Sequence, residues 1–222
     1  SSFSFGFKIS KKLICCFNYI VNIILFLKIM CGRFTLRNFE QVKSVHDIII
    51  DPSYNIAPSQ QALVIKEDET LDFIDWSFSP FWAKKPFNLI NVQYDSLDVK
   101  PSFKNYKKCV FLADGWYEWV RLKDGSSKPI FIHLNNDLFY FAAIYNDAGG
   151  AIVTIDAQAS LKNIHHRQPM VLNAEEIKAW LFSEKKVICS KIIEAISSYE
   201  VSKYVNSPRN NDTKCVQQIS EK

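Results

Sequence analysis

Four short stretches combine residue types in patterns that could do chemistry. The first is Met30-Cys31-Gly32-Arg33-Phe34. If Met30 initiates the chain and is then removed, Cys31 becomes an N-terminal 1,2-aminothiol. In reference peptides such an amine titrates at about 7.7–8.0 and the thiol at about 8.5, so both are partly nucleophilic near neutral pH. With an aldehyde the amine forms an imine, and the thiol then closes a five-membered thiazolidine. An internal cysteine cannot do this, because its nitrogen is an amide. Gly32 leaves room for a bulky electrophile, and Arg33 could hold a phosphate beside it. The other reading of this stretch is an ordinary buried cysteine opening a strand.

The second stretch is Gly115-Trp116-Tyr117-Glu118-Trp119. Strand alternation puts Trp116 and Glu118 on one face and Tyr117 and Trp119 on the other. A carboxylate desolvated by aromatic rings suits general acid or base work, whereas a glutamate on an edge strand would simply face water. The third is His165-His166-Arg167-Gln168-Pro169-Met170, which fits either a proton-handling loop at the scaffold edge or a plain polar loop. The fourth runs from Trp76 to Asn91 and includes Phe81, Trp82, Lys84 and Lys85. Aromatic residues interleaved with lysines suit base stacking beside a phosphate track, or a core loop with its lysines in solvent. Tyr54-Asn-Ile-Ala-Pro58 reads as a structured turn.

These stretches need elements to position them. A short strand is expected at 33–37, and a helix over 38–48 with Asn38 as its N-cap. Asp51 to Ser59, with Pro52 and Pro58, reads as a turn-rich loop. Ala62–Lys66 and Leu71–Phe78 read as a strand pair, and 80–108 as irregular with a helical turn near Ser96. Successive strands are expected at Cys109–Leu122, Ile130–Leu134, Leu138–Ile144 and Ala151–Ala157. Asp124-Gly125, Asn135-Asn136 and Gly149-Gly150 supply their turns. Asn173-Ala-Glu-Glu176 resembles a capping box for a helix ending near Phe182, and a second helix is expected over 185–197. The chain from Tyr204 is polar and Asn-rich. The pattern is α+β, one domain built on a mainly antiparallel sheet.

The chain has 222 residues and is 48% hydrophobic, which allows a packed core and excludes disordered and collagen-like classes. Its formal charge is +4, but residues 1–29 hold four lysines and no acid. Without them basic and acidic residues balance at 23 each, so a nucleic-acid site must be a local patch rather than a global field. Six cysteines without C-x-x-C or zinc spacing read as reduced thiols. Residues 13–29 are strongly apolar. They suit a signal peptide or a short membrane anchor, but no small-x-small cleavage site follows and Asn18 and Asn22 interrupt the run. Phe, Ile, Asn, Lys and Tyr supply 18 of the first 30 residues, as translation of an AT-rich upstream region would give. Residues 1–29 are therefore expected to be a leader outside the mature protein, which begins at Cys31.

In this order, Cys-Gly-Arg-Phe after a Met, Tyr-Asn-Ile-Ala-Pro, Trp with Pro-Phe-Trp-Ala-Lys, Asn91, Gly-Trp-Tyr-Glu-Trp and His-His-Arg-x-Pro resemble the SOS-response-associated peptidase (SRAP) family. The resemblance covers residues 30–216, with 217–222 as a polar tail. It implies a single domain with a bifurcated, barrel-like sheet flanked by helices. It also implies covalent capture of abasic sites in single-stranded DNA through Cys31, as a thiazolidine crosslink that shields the lesion, with an associated self-processing peptidase activity. Asn91 is then the supporting amide, Glu118 the acid/base carboxylate and His165 the proton-handling imidazole. Arg33 and Arg167 would face the DNA backbone, with Trp82, Lys84, Lys85 and Gln93 as further DNA contacts. Neither cofactor nor metal is implied, and the protein is expected to be a cytoplasmic monomer. The family usually follows its asparagine with Ala-Arg-x-Glu-Thr, where this chain has Val92-Gln93-Tyr94-Asp95-Ser96. Gln93 lacks the charged fork of arginine. Gln168 stands where methionine is usual. Two other classes remain open on the residues alone: an N-terminal-nucleophile hydrolase acting on an amide, and a non-catalytic module tethered through residues 13–29.

Overall fold

The computed structural model describes residues 32–135, 137–183 and 194–219. Cys31, the apolar leader and most of the helix expected over 185–197 lie outside them. Two β-sheets carry the fold. The first is five-stranded. It contains β1 (Arg33–Leu36), β2 (Ser53–Ile56), β7 (Gly115–Arg121), β8 (Ser127–His133) and β13 (Ser197–Glu200), in the order β13-β8-β7-β1-β2. The second has eight strands. β3 (Gln61–Lys66), β4 (Leu71–Asp75), β6 (Lys107–Ala113), β9 (Phe139–Asn146), β10 (Gly149–Asp156) and β11 (Arg167–Pro169) run in the order β11-β10-β9-β6-β3-β4. β5 (Asn91–Gln93) joins β10 in parallel and β12 (Val171–Leu172) joins β9, so this sheet forks where β10 leaves β9. All other pairings are antiparallel. The result is mixed α+β with mainly antiparallel sheets, one of them forked, as expected; the strands form two sheets and do not close into a barrel. Among the described residues there are two α-helices, α1 (Phe39–His46) and α2 (Ala174–Phe182). No described helix is long and apolar enough to cross a membrane.

The sheets face each other through aromatic side chains. Phe34 on β1 packs edge-on against Trp76 and Phe141, with ring centroids 5.1 and 5.9 Å away, and Trp116 on β7 does the same with Phe139 and Phe141. Edge-to-face pairs of this kind add to the stabilisation from burial alone. The outer face of the five-stranded sheet is buried as well. Tyr117 and Phe131 sit there under Val201, Val205 and Cys215. The segment that looked like a polar run after Tyr204 thus packs as a cover. Gln218 extends it by bridging to Val201.

Several expected elements differ. Cys109–Leu122 is not one strand but two, β6 and β7, in different sheets. The break is Asp114, fully buried, whose carboxylate accepts from Thr35 Oγ1, from the Arg37 and Asn38 backbone N–H groups and from Arg37 Nε. Gly115 follows because a Cβ there would lie 2.3 Å from the Phe131 ring. Within 51–59 lies β2, and within 80–108 lies β5. Each is short and is held by partners distant in sequence, so local pattern did not reveal it. The β9–β10 turn falls on Asp147 and Ala148, two residues before the expected Gly149-Gly150. Gly149 instead has φ +122 and no space for a Cβ beside the Asp75 and Ser77 carbonyls. Ser197, placed in a helix by periodicity, opens β13.

The caps behave as the sequence indicates. Asn38 Oδ1 accepts from Gln41 N–H at 3.1 Å, and α1 stops at His46 because Asp47 turns left-handed, with φ 52. Asn173 and Glu176 form both halves of a capping box on α2. Trp180 of that helix donates to the Cys109 carbonyl at 2.9 Å and so fastens α2 over the eight-stranded sheet.

Candidate functional site

β7 is the strand that makes a site. Its alternation sends Tyr117 and Trp119 outward and Trp116 and Glu118 inward, as the sequence predicts. Glu118 is only 4% exposed. The inner face opens on a narrow cleft whose apolar wall is Trp116, Ile132, Leu161 and Ile164. Its polar groups are Glu118, His165, Arg167 and Gln168. Two residues 47 apart in sequence, Glu118 and His165, are thereby brought to one hollow.

His165 follows a 3-10 turn at Ala159–Asn163 and precedes β11, so a strand rather than a helix comes after this loop. Its Nδ1 lies 3.1 Å from the Arg167 backbone nitrogen and 3.2 Å from the Arg167 carbonyl oxygen, accepting from the first in one tautomer and donating to the second in the other. Burial pushes the His165 pKa below its ordinary value; the hydrogen bond with the Arg167 backbone opposes this, and the charges of His166 and Arg167 add to the lowering. The imidazole is therefore neutral at physiological pH, with one ring nitrogen carrying a proton and the other able to take one. His166 is exposed, and its ring lies tilted against that of His165 with centroids 4.3 Å apart.

Arg167 is committed to its own chain. Nη1 meets Asp156 Oδ1 at 2.6 Å, and Nη2 donates to the Thr154 carbonyl at 2.6 Å. Thr154 Oγ1 donates in turn to the Val92 carbonyl on β5. Asn91 and Gln93 pair on β10 with Ile152 and Thr154, so β10 stands between them and Arg167. Asn91 is half-buried and Gln93 exposed. Asn91 is adjacent to the site rather than part of the cleft wall.

Arg33 on β1 lies opposite Tyr117 on β7, one position from Glu118. Cys31, two residues earlier, is outside the described residues. The Arg33 guanidinium donates to Asn55 Oδ1 and the Val205 carbonyl, both at 3.0 Å, and to the Asn206 carbonyl at 3.2 Å. Burial lowers its pKa from the ordinary value. Asn55, read from sequence as a turn residue, is instead a buried hub. Its amide donates to the carbonyls of Val205, Ser207 and Asn210 at 2.8–3.1 Å. Trp119 Nε1 adds a bond to Asn206 Oδ1 at 2.8 Å. Together these fix the C-terminal cover against the strands that carry Glu118. Nothing local in Tyr-Asn-Ile-Ala-Pro foretells a partner 150 residues away.

Trp82, Lys84 and Lys85 sit on a loop pinched at its base by paired Phe78–Leu89 backbone bonds of 2.9 Å. Ser79 Oγ accepts from Phe87 N–H, and Asn146 Nδ2 donates to the Ser79 carbonyl, which stiffens the loop. Phe81, Trp82 and Phe87 are 63%, 48% and 51% exposed, and both lysines are in solvent. The loop therefore offers an aromatic and basic surface and leads within two residues from Leu89 to Asn91. Of the sequence-derived candidates, the structure joins Glu118, His165 and Arg167 in one cleft, puts Asn91 and Gln93 one strand away, and holds Trp82, Lys84 and Lys85 on this separate loop. Among the described residues no cluster of three His, Cys, Asp or Glu side chains could hold a metal ion.

A two-sheet α+β domain with a forked sheet and a buried carboxylate facing an imidazole is the class that the geometry defines. The sequence profile of the SOS response associated peptidase (SRAP) family matches residues 30–208, and the chain belongs to that family. It is 33% identical over 224 residues to the Abasic site processing protein YoqW of Bacillus subtilis (strain 168), covering 85% of this chain and 99% of that protein. It is 29% identical over 225 residues to the Abasic site processing protein YedK of Escherichia coli (strain K12), covering 86% and 100%. Against the Abasic site processing protein HMCES of Gallus gallus it is 29% identical over 221 residues, covering 74% and 66%. An X-ray structure of a protein from Bacteroides thetaiotaomicron shares the fold with a TM-score of 0.66 at 22% identity, covering 86% of this chain and 100% of that one.

Proposed function

We propose that this protein processes abasic sites in single-stranded DNA by covalent capture through Cys31. The observation that carries the reading is the cleft that joins buried Glu118 to neutral His165, in a chain whose relatives are named for abasic-site processing. The amine of Cys31 adds to the aldehyde carbon of the ring-opened sugar, and loss of water gives an imine. The thiolate then attacks that carbon, the nitrogen takes a proton, and a thiazolidine remains. Glu118 delivers and recovers these protons, His165 assists as a neutral imidazole, and Asn91 supports the reacting groups from β5. Hydrolysis of the Met30–Cys31 peptide bond frees the amine where the chain begins further upstream, which accounts for a peptidase label. Trp82 stacks on a base while Lys84 and Lys85 track phosphates. Arg33 and Arg167 offer the backbone the N–H groups left over from their intramolecular bonds, and Gln93 adds a neutral contact.

The test mixes a chain beginning at Cys31 with single-stranded DNA bearing one abasic residue, followed on denaturing gels with and without borohydride. A heat-stable adduct is expected. Cys31→Ala keeps the amine, so it should give an adduct only when borohydride traps the imine. A heat-stable Cys31→Ala adduct formed without borohydride at the parent's rate would rule out the thiazolidine.

A further inference from the structure

Two buried side-chain donors beside the cleft have no hydrogen-bond acceptor: Gln168 Nε2 and Arg167 Nε. Gln168 is 1% exposed and lines the cleft with Glu118 and His165. Its amide orientation is fixed, because Oε1 accepts from the Gln158 backbone N–H at 2.7 Å. Flipping the amide would set one N–H against another, so the nitrogen is the end without a partner. A buried N–H with nothing to bind is costly and rare, and its presence in the wall of a ligand cleft marks where an acceptor belongs.

The surrounding chemistry narrows that acceptor. Arg167 Nε is a donor too, while Glu118 is the acceptor of the set. An oxygen that takes a bond from Gln168 and returns one to Glu118 must carry its own proton, which makes it a hydroxyl. An ether oxygen could only accept, and a methylene could do neither. We propose that Gln168 is a specificity-determining residue whose amide N–H donates to a sugar hydroxyl of the substrate while that hydroxyl donates to Glu118. This inference rests on the function proposed above. In an abasic deoxyribose the C4 oxygen is an ether while the ring is closed and a hydroxyl once it opens. Gln168 therefore favours the open aldehyde, the form that an amine attacks. A polar group left unpaired by the wrong ligand is a strong basis for such discrimination.

The test uses the mature chain and two single-stranded oligonucleotides of one sequence. One bears the natural abasic residue, the other an acyclic residue with the same aldehyde chain and hydrogen in place of the C4 hydroxyl. Gln168→Met keeps length and apolar bulk but removes the donor. It should slow adduct formation about fivefold on the hydroxyl-bearing probe and leave the rate on the hydroxyl-free probe unchanged. The ring-opening equilibrium belongs to the probe and cancels in each variant-to-parent ratio. Equal slowing on both probes would reduce Gln168 to a structural role, and no slowing on either would overturn the proposal. Either result leaves the covalent-capture reading intact, whereas no adduct between the parent protein and either probe would overturn that reading and this inference with it. Should Gln168→Met not fold, the side-chain amide signal of 15N-glutamine-labelled parent protein decides. It should shift in the adduct with the hydroxyl-bearing probe alone, and an unshifted signal sinks the proposal.

Discussion

Glu118 is held out of bulk water beside Trp116, and a group in that position is tolerated only where the surroundings use its charge or its proton. Glu118→Gln preserves shape and removes the proton carrier. Adduct formation should slow by about 10²-fold, the lower part of the range for general acid–base catalysis, while the nucleophile keeps the reaction alive. A gel time course measures this, and a parent-like rate would remove Glu118 from the mechanism. Asn55 acts at the same scale but through structure. Its one side chain satisfies three carbonyls and Arg33, so Asn55→Ala leaves buried polar groups unpaired. A loss of about 1–3 kcal/mol is expected from denaturant unfolding.

At the scale of elements, β7 and the 79–88 loop have opposite designs. β7 is buried on both faces and enters its sheet through Gly115, where any side chain would collide with Phe131 and Thr35. Gly115→Ala should therefore cost about 1–3 kcal/mol by overpacking, read as a lower denaturation midpoint, and should slow adduct formation by displacing Glu118. The loop instead is pinned at its base and presents its aromatic rings to solvent. Trp82 packs on Phe87 at 5.2 Å but is half exposed, so Trp82→Ala should leave the melting temperature nearly unchanged. Binding to single-stranded DNA should weaken by about 1–3 kcal/mol if a base stacks there. Fluorescence titration against an oligonucleotide separates the two readouts.

Over the whole molecule, the balanced charge of residues 30–222 implies that the DNA binding proposed above would rest on a few local contacts and should fall only modestly with salt. Stability has a clearer pH signature. His46, His133 and His165 all have pKa values lowered from 6.5, in each case chiefly by burial. In the unfolded chain they protonate freely below pH 6.5, while the fold keeps them neutral. The unfolded state then binds more protons, so stability is full above pH 6.5 and declines as the pH falls below it. Thermal unfolding from pH 8 to pH 5 should show a plateau and then a decline starting near 6.5. A melting temperature that is flat to pH 5 would contradict the burial of these imidazoles.

Residue order alone determined a good deal. The alternation of Trp116-Tyr117-Glu118-Trp119, the caps at Asn38 and Asn173 and the Asp124-Gly125 turn are local features, governed by period and by side-chain bonds a few residues long. The family pattern was legible for the same reason, since its motifs are contiguous. What lay beyond reach was set by contacts far apart in sequence. The break at Asp114 depends on Thr35 and Arg37, and β5 exists because β10 offers a parallel edge. Asn55 becomes a hub only when residues 205–210 fold back over it. Gln168 was only a residue standing where methionine is usual until the tertiary structure buried its amide, fixed one end on Gln158 and left the other in the cleft without a partner. Burial and the pairing of distant groups decide those roles, and both arise only once the sheets have packed.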